Sequence, residues 1–494
     1  MRADQMHAPR RRHVASRVIW AAVSLLGTIC LTVGAAAAPT EPASQATLWS
    51  RPSVPIEGTQ VVLTLRVPAA DGGASAARMR ILDSQGEVIL DEAGSLVRHD
   101  EGMEWSMSWR PAKNGIYQVE GSYGSKAPVR LDVPVLIAER ALDFVWYRYE
   151  PWLRWPTVIT SANDADLPRL RNRGIRALRW MYGSNHPVAA KEGRPAEAFE
   201  AEAEQYYRVP EGFAFDGYGI DEFGGYPQTE TEARGLAWLR GLRDARREFP
   251  KGFVVAAWHG GGVRDTWVGL YKQAADLLLL EAYDMYYVPH ELGTENIYAD
   301  LRGRLIAPRA ADLFTRAYGS PCKVLLALDL CGGRETYGDA GELEQVIRWI
   351  RREAPEMRGI AFFNGSDASE AVERAADRLC FEYFVRPVVT FEPESLWLDR
   401  SSGHSQVVAA ISNIGGVDSG PVMVRLKLDG EVVGTARLVR VPAGSSRLTN
   451  RAFVRWEWQS RPSGLYELQA EIAEAPGSTV LDGSVSEKRW IAEQ

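Results

Sequence analysis

Three regimes of hydrophobic patterning follow one another along the chain. From Thr47 to about Glu139, short runs alternate apolar and polar positions (VVLTLRV, ARMRILD, EWSMSW, YQVEGSY, VRLDVPVL). Turn signals separate them at roughly 8–12 residues, the rhythm of an antiparallel sandwich. Asn114-Gly115-Ile116-Tyr117 reads as the start of the closing hairpin of an immunoglobulin-like domain.

After Ala141 the period changes. Apolar runs of five to eight residues alternate with helical stretches: FVWYRY, PTVIT, IRALRWM, FDGYGIDE, FVVAAWH, DLLLLEAYD, KVLLALDL and RGIAFFN. Continuous apolar strands with helices between them predict a parallel sheet buried on both faces. The helix signals are specific. Thr229 and Glu232 form a capping box, and Trp238, Leu242, Ala245 and Phe249 follow at helical spacing. Leu343, Val346, Ile347 and Ile350 make a second stripe of the same period. Eight such runs over about 245 residues fit a (β/α)8 TIM barrel. No helix signal separates FVWYRY from PTVIT, so either of those two is open to being a connector rather than a strand.

Alternation returns after Phe384 in SQVVAAISN, PVMVRLKLDG, AFVRWEW and YELQAEIA, with turns at Asn413-Ile-Gly415, Asp429-Gly430 and Pro442-Ala-Gly444. A second sandwich is expected here. The order of its turn motifs, through Gly464-Leu-Tyr-Glu-Leu468, resembles the CARDB-type cell-adhesion-related domains of bacterial surface proteins.

The N-terminus adds a targeting signal. Arg2, Arg10, Arg11, Arg12 and Arg17 precede an apolar run from Val18 to Val33, and Gly34-Ala-Ala-Ala-Ala-Pro39 follows. This is the pattern of a signal peptide cleaved near Ala37 or Ala38. The expected organisation is signal peptide 1–38, linker 39–46, N-terminal sandwich 47–139, barrel 140–385 and C-terminal sandwich 386–494. Cleavage removes five arginines and one aspartate, taking the formal charge from -7 to about -11. Such a balance argues against a nucleic-acid partner, which needs a basic face. No other stretch is apolar and long enough for a bilayer, so no membrane insertion is expected after cleavage, although cell-surface association fits the CARDB-like region.

Cys322, Cys331 and Cys380 remain after cleavage. Cys322 and Cys331 flank one predicted strand, which would hold them about 30 Å apart, far beyond the roughly 7 Å a disulfide allows. A Cys322–Cys380 bridge and three free buried thiols both stay open. No metal-type cysteine spacing occurs, and neither a metal nor a cofactor is expected.

Barrel enzymes work at the carboxyl ends of their strands, so polar groups that end apolar runs are the candidates. Asp216, Asp221 and Glu222 crowd one strand and its end. With a regular pleat, only one of Asp221 and Glu222 enters the mouth. The alternative is that these acids cap a helix or pair with arginine. Glu281, Tyr283 and Asp284 follow four leucines. Trp258 and His259 end VVAAWH before three glycines; Asp329 ends VLLAL, and Asn364 and Asp367 end GIAFF. A lone histidine is more often structural than catalytic. Trp180, Trp258 and Tyr286 are candidate sugar platforms, although most of the sixteen tryptophans and eighteen tyrosines must be core.

The order of strand ends resembles the family 18 glycoside hydrolases, the chitinase-like barrels. Their fourth strand reads Asp-Gly-x-Asp-x-Asp-x-Glu; here Asp216, Gly217 and Asp221 match, while Gly219 and Phe223 replace the middle aspartate and the acid. Their sixth strand reads Met-x-Tyr-Asp; here Tyr283 and Asp284 match and Glu281 replaces the methionine. The resemblance implies action on a polysaccharide or oligosaccharide. With the acid position occupied by Phe223, a proton donor shifts to Glu222, with Glu281 as the second carboxylate, Asp221 tuning Glu222, and Tyr283, Asp284, Trp258, His259, Trp180, Tyr286, Asp329 and Asn364 as binding candidates. Two other readings remain: a non-catalytic glycan-binding or scaffold protein on a degenerate barrel, and an unrelated hydrolase using the same acids. The sequence has no nucleophile elbow, phosphate loop or His-Glu-x-x-His motif to support the last.

Overall fold

The computed structural model describes residues 45–71, 75–99, 102–138, 141–183, 195–221, 229–249, 252–259, 265–281, 324–331, 340–401, 404–444, 448–459, 461–481 and 484–493. The expected signal peptide and most of the linker lie outside them.

The first alternating region forms β1 (Thr47–Arg51), β2 (Val61–Val67), β3 (Ala76–Leu82), β4 (Val88–Ser95), β5 (Val97–His99), β6 (Gly102–Trp109), β7 (Gly115–Tyr123) and β8 (Val129–Val135). Two sheets, β1-β2-β6-β5 and β4-β3-β7-β8, face each other. Alternate residues of β2 (Val61, Leu63, Leu65, Val67) fill the space between them with Met79, Ile81, Val119 and Val133. The hairpin expected at Asn114-Gly115 opens β7, which pairs antiparallel with β8.

All eight apolar runs of the middle region become strands: β9 (Asp143–Trp146), β10 (Val158–Ile159), β11 (Arg176–Met181), β12 (Gly217–Ile220), β13 (Val254–His259), β14 (Leu277–Glu281), β15 (Val324–Asp329) and β16 (Gly359–Phe363). They pair in parallel, in chain order, and close through β16 and β9. Neither FVWYRY nor PTVIT is a mere connector, although β10 is only two residues long. Its approach needs no helix because the helix Glu370–Cys380 holds the connecting loop. Asp377 accepts the N–H groups of Arg154 and Trp155, both at 2.9 Å. One turn earlier, Glu373 accepts from the Trp152 indole at 3.0 Å.

Period-two alternation divides the barrel side chains. Val145, Val158, Leu178, Ala256, Leu279, Leu325, Ala327 and Ala361 fill the interior. Phe144, Trp146, Tyr218, Ile220, Leu278, Leu280, Leu326 and Phe362 face the helices, meeting Trp238 and Leu242 of Thr229–Arg246 and the stripe Leu343, Val346, Ile347 and Ile350 of Ala340–Glu353. The side chains of the capping box at 229–232 lie outside the described residues.

A repeated device secures alternate strands at their start. The residue before β10, β12 and β14 accepts the N–H of the second residue of the preceding strand. Thr157 accepts from Phe144 at 2.8 Å, Asp216 from Ala177 at 2.8 Å, and Asp276 from Val255 at 3.0 Å. Asp216 is therefore one of these latches rather than a site residue.

The last region forms β17 (Val388–Asp399), β18 (Gln406–Asn413), β19 (Val422–Leu428), β20 (Glu431–Leu438), β21 (Arg451–Glu457), β22 (Gly464–Glu474), β23 (Thr479–Val480) and β24 (Arg489–Glu493). Its sheets, β21-β18-β17-β23 and β20-β19-β22-β24, enclose a separate core. The expected turn at Asp429-Gly430 joins β19 to β20, with φ of 50° and 86° at its two residues. Positive φ at both centres is the primed hairpin geometry that Asp-Gly favours.

Both sandwiches are bonded to the rest. Arg154 donates to Asp132 O at 2.9 Å, and Asp418 N donates to the Asn114 side chain at 2.9 Å. The buried Arg351 donates to Met357 O at 2.7 Å and to Ile414 O, with its guanidinium 4.5 Å from the Phe384 ring centre. Cys331 and Cys380 are free and buried; Cys322 lies outside the described residues. Among the described residues, no helix is long and apolar enough to cross a membrane.

Candidate active site

Strand register decides which candidates meet. Leu277 and Leu279 lie in the barrel interior, so the same alternation carries Glu281 inward at the end of β14. Leu325 and Ala327 do the same for Asp329 on β15. On β12, Tyr218 and Ile220 pack outward, which turns Gly217, Gly219 and the following Asp221 inward. Three carboxylates from three strand ends thus share one end of the barrel. Glu281 is 6% exposed and Asp329 3%, while Asp221 is half-buried. Asp329 also accepts the Cys331 N–H at 2.8 Å. The Cys331 sulfur in turn accepts from Gly365 N at 3.1 Å, tying the ends of β15 and β16 together.

The same end of the barrel carries a floor of aromatic rings, with Phe363 at the register position of Asp329. Tyr147, directly after β9, packs at 4.7 Å and 83° against Trp180 of β11, and at 4.7 Å and 42° against Phe363 of β16. Trp258 of β13 completes the group, 6.3 Å from both Trp180 and Phe363. Trp258 is buried, whereas Tyr147, Trp180 and Phe363 keep part of their surface accessible. Burial raises the Tyr147 phenol above its ordinary range, and the charge of Asp221 adds to the shift; the Ser161 side chain opposes it.

Two candidates do not join the group. His259 faces the helix layer, its ring 5.5 Å from Tyr271 and 6.2 Å from Trp267 of the helix Asp265–Ala274. It follows Trp258 by one residue, and a one-residue step on a strand changes face. Asn364 likewise turns outward. Its carboxamide accepts from Arg148 N at 2.9 Å and donates to Glu373 at 2.8 Å, so its hydrogen-bonding capacity serves the loop after β9. Glu222, Tyr283, Asp284 and Tyr286 lie outside the described residues. Among the described residues, no group of three or more His, Cys, Asp or Glu side chains can hold a metal ion.

The resemblance to the family 18 motif meets a steric obstacle at its middle position. A Cβ on Gly219 would lie 2.4 Å from Thr160 O and 2.6 Å from Thr160 Cβ. The Thr160 side chain fills the place that an aspartate there would need. Tyr147 was missed as a candidate although its signal was present: in Val145-Trp-Tyr147, alternation puts the tyrosine on the face of the interior valine.

No protein-family model and no curated protein matches the chain, so membership of family 18 has no support beyond the motif. Among solved structures, the chain is similar to a β-glucuronidase from Ruminococcus gnavus, at 12% identity over 68% of this chain and 67% of that one, with a TM-score of 0.34. It is similar to a cycloisomaltooligosaccharide glucanotransferase from Paenibacillus sp., at 12% identity over 90% and 71% of the two chains, with a TM-score of 0.33. A CARDB domain from Pyrococcus furiosus aligns with 22% of this chain and 91% of its own, at 14% identity and a TM-score of 0.18. Similarities this loose assign no chemistry to the chain.

Proposed function

We propose that the chain is an exported carbohydrate-active protein of glycoside-hydrolase type, acting on a polysaccharide or oligosaccharide at the carboxyl end of its barrel. The observation that carries this reading is the pairing of inward carboxylates, Asp221 and Glu281, with the ring floor of Tyr147, Trp180, Trp258 and Phe363. Sugar rings present C–H faces that pack on aromatic surfaces and oxygens that need polar partners. Hydrolysis of the bond between them uses one carboxyl group as acid and another as nucleophile or base. Glu281 serves as the second carboxylate. The proton donor comes from the adjacent pair Asp221 and Glu222: Asp221 is the one that strand alternation turns inward, and Glu222 serves as donor, with Asp221 tuning it, where a bulge after Asp221 presents both. Export is supported by the basic, apolar and Ala-x-Ala sequence of residues 1–38.

The test is hydrolysis of a polysaccharide panel by the wild-type chain and by Glu281→Gln, Glu222→Gln and Asp221→Asn. Loss of Glu281 lowers kcat by about 10²–10⁴-fold or more. Loss of the donor has a comparable effect on a natural glycan but little on an aryl glycoside, whose leaving group departs without protonation. Full activity of Glu281→Gln overturns the assignment.

A second reading, a glycan-binding protein that does not cleave, is favoured by Gly219 and by the engagement of Asp329 with the main chain. It predicts calorimetric binding of an oligosaccharide with no new reducing ends after prolonged incubation.

A further inference from the structure

We infer that Tyr147 determines specificity at the barrel mouth, contacting a bound sugar oxygen through its hydroxyl while its ring forms part of the floor. This rests on the carbohydrate reading above and names a residue that the reading does not require. The main chain at this position is fixed. Tyr147 N donates to Phe362 O at 2.9 Å, and Tyr147 O accepts from Ser161 N at 2.8 Å, so the barrel ladder continues one residue past β9. The ring is fixed as well, held by Trp180 and Phe363 at 4.7 Å and by Trp258 at 6.5 Å.

The hydroxyl is the part that packing does not explain. Phe363 occupies the neighbouring place in the same floor with a bare ring, so the floor itself tolerates phenylalanine. At 147 the ring carries an oxygen that is hydrogen-bonded to the Ser161 side chain and feels the charges of Asp221 and Arg148; a phenol both donates and accepts, so one bond to Ser161 leaves it a second position for a ligand. A phenol is protonated at neutral pH, and burial and the charge of Asp221 move its titration further upward, so it offers a hydrogen-bond donor. A second donor belongs to the same ring cluster: among the described residues, the buried Trp258 indole N–H has no hydrogen-bond partner. A buried donor left unmade is unfavourable, and an acceptor oxygen on a ligand relieves it. An accessible floor of three rings, a protonated phenol and an unmet indole N–H together suit a ring-shaped ligand with an apolar face and acceptor oxygens at its rim.

The test uses the full chain and a panel of neutral hexasaccharides built from glucose, xylose, mannose and N-acetylglucosamine. Binding is measured by calorimetry and turnover by reducing-end release. Tyr147→Phe keeps the ring and removes the oxygen. It weakens affinity and lowers kcat/KM by about 2- to 12-fold, the worth of one hydrogen bond, with the melting temperature unchanged. Trp180→Ala, which removes a ring of the floor, weakens binding further. Wild-type affinity and kcat/KM in Tyr147→Phe overturn the inference while leaving the carbohydrate reading intact. A lower melting temperature accompanying the loss makes the hydroxyl structural and also overturns it. A wild-type chain that binds no member of the panel overturns the carbohydrate reading and this inference with it.

Discussion

Asp377 shows how a single buried side chain can make the whole fold lose stability as pH rises toward neutral. It is 6% exposed, and burial raises its carboxyl from its usual range to about 6, against the two backbone N–H groups of Trp155 and Arg154 and the nearby arginines Arg173 and Arg154, which favour the charged form. In an unfolded chain the same group titrates near 3.9. The folded state therefore binds a proton more tightly than the unfolded one. The stability linked to that proton is complete below about pH 4 and is lost as pH rises through about 6, a change of about 3 kcal/mol. Glu373, one turn earlier, is also raised, chiefly by burial. Urea unfolding of the wild type and Asp377→Asn between pH 4 and 7 checks this. The wild type loses stability across the window relative to the variant, whose profile is flatter; parallel profiles would show that Asp377 does not titrate there.

At the scale of strands and helices, Asp216 and Asp276 make an equally specific claim. Each offers one oxygen to a strand N–H that would otherwise lack a partner at the barrel rim, and Asp276 also pairs with Arg246 at 2.5 Å. Replacing Asp216 with alanine leaves the Ala177 N–H unmet and lowers unfolding free energy by about 1–3 kcal/mol, measured by urea denaturation, without affecting any activity beyond that loss. Much of this architecture was legible in the sequence because the apolar runs are long and their period is clear. Eight runs gave eight strands, the stripes on Ala340–Glu353 and Thr229–Arg246 face the core, and Asp429-Gly430 turns a hairpin. Side-chain direction at the strand ends was harder. Trp258 and His259 differ by one residue and lie on opposite faces, and no feature of the run VVAAWH fixes which of them enters the interior. Register against β12 and β14 decides it. Asn364 and Asp216 resembled site residues because their partners, Glu373, Arg148 and Ala177, are distant in sequence or belong to the main chain.

At the scale of the whole molecule, Arg351 joins the barrel to the C-terminal sandwich. Its guanidinium joins the loop before β16 to the loop after β18, satisfying Met357 O and Ile414 O in a place closed to water. Arg351→Ala removes a charged donor from two buried carbonyls and opens a cavity beside Phe384, an effect of about 2–4 kcal/mol. Calorimetry of the variant is expected to show the C-terminal sandwich melting at lower temperature and separately from the barrel, where the wild type gives a more concerted transition. A single unchanged peak would mean that other contacts carry the coupling.

The latches contributed by Thr157, Asp216 and Asp276 all sit where strands begin, while every proposed sugar-facing group sits where strands finish. The two rims thus divide their labour: the side-chain latches between successive strands belong to one, and the groups proposed to meet the ligand belong to the other. New loops and new side chains can be tried at the working rim without loosening the cylinder beneath them.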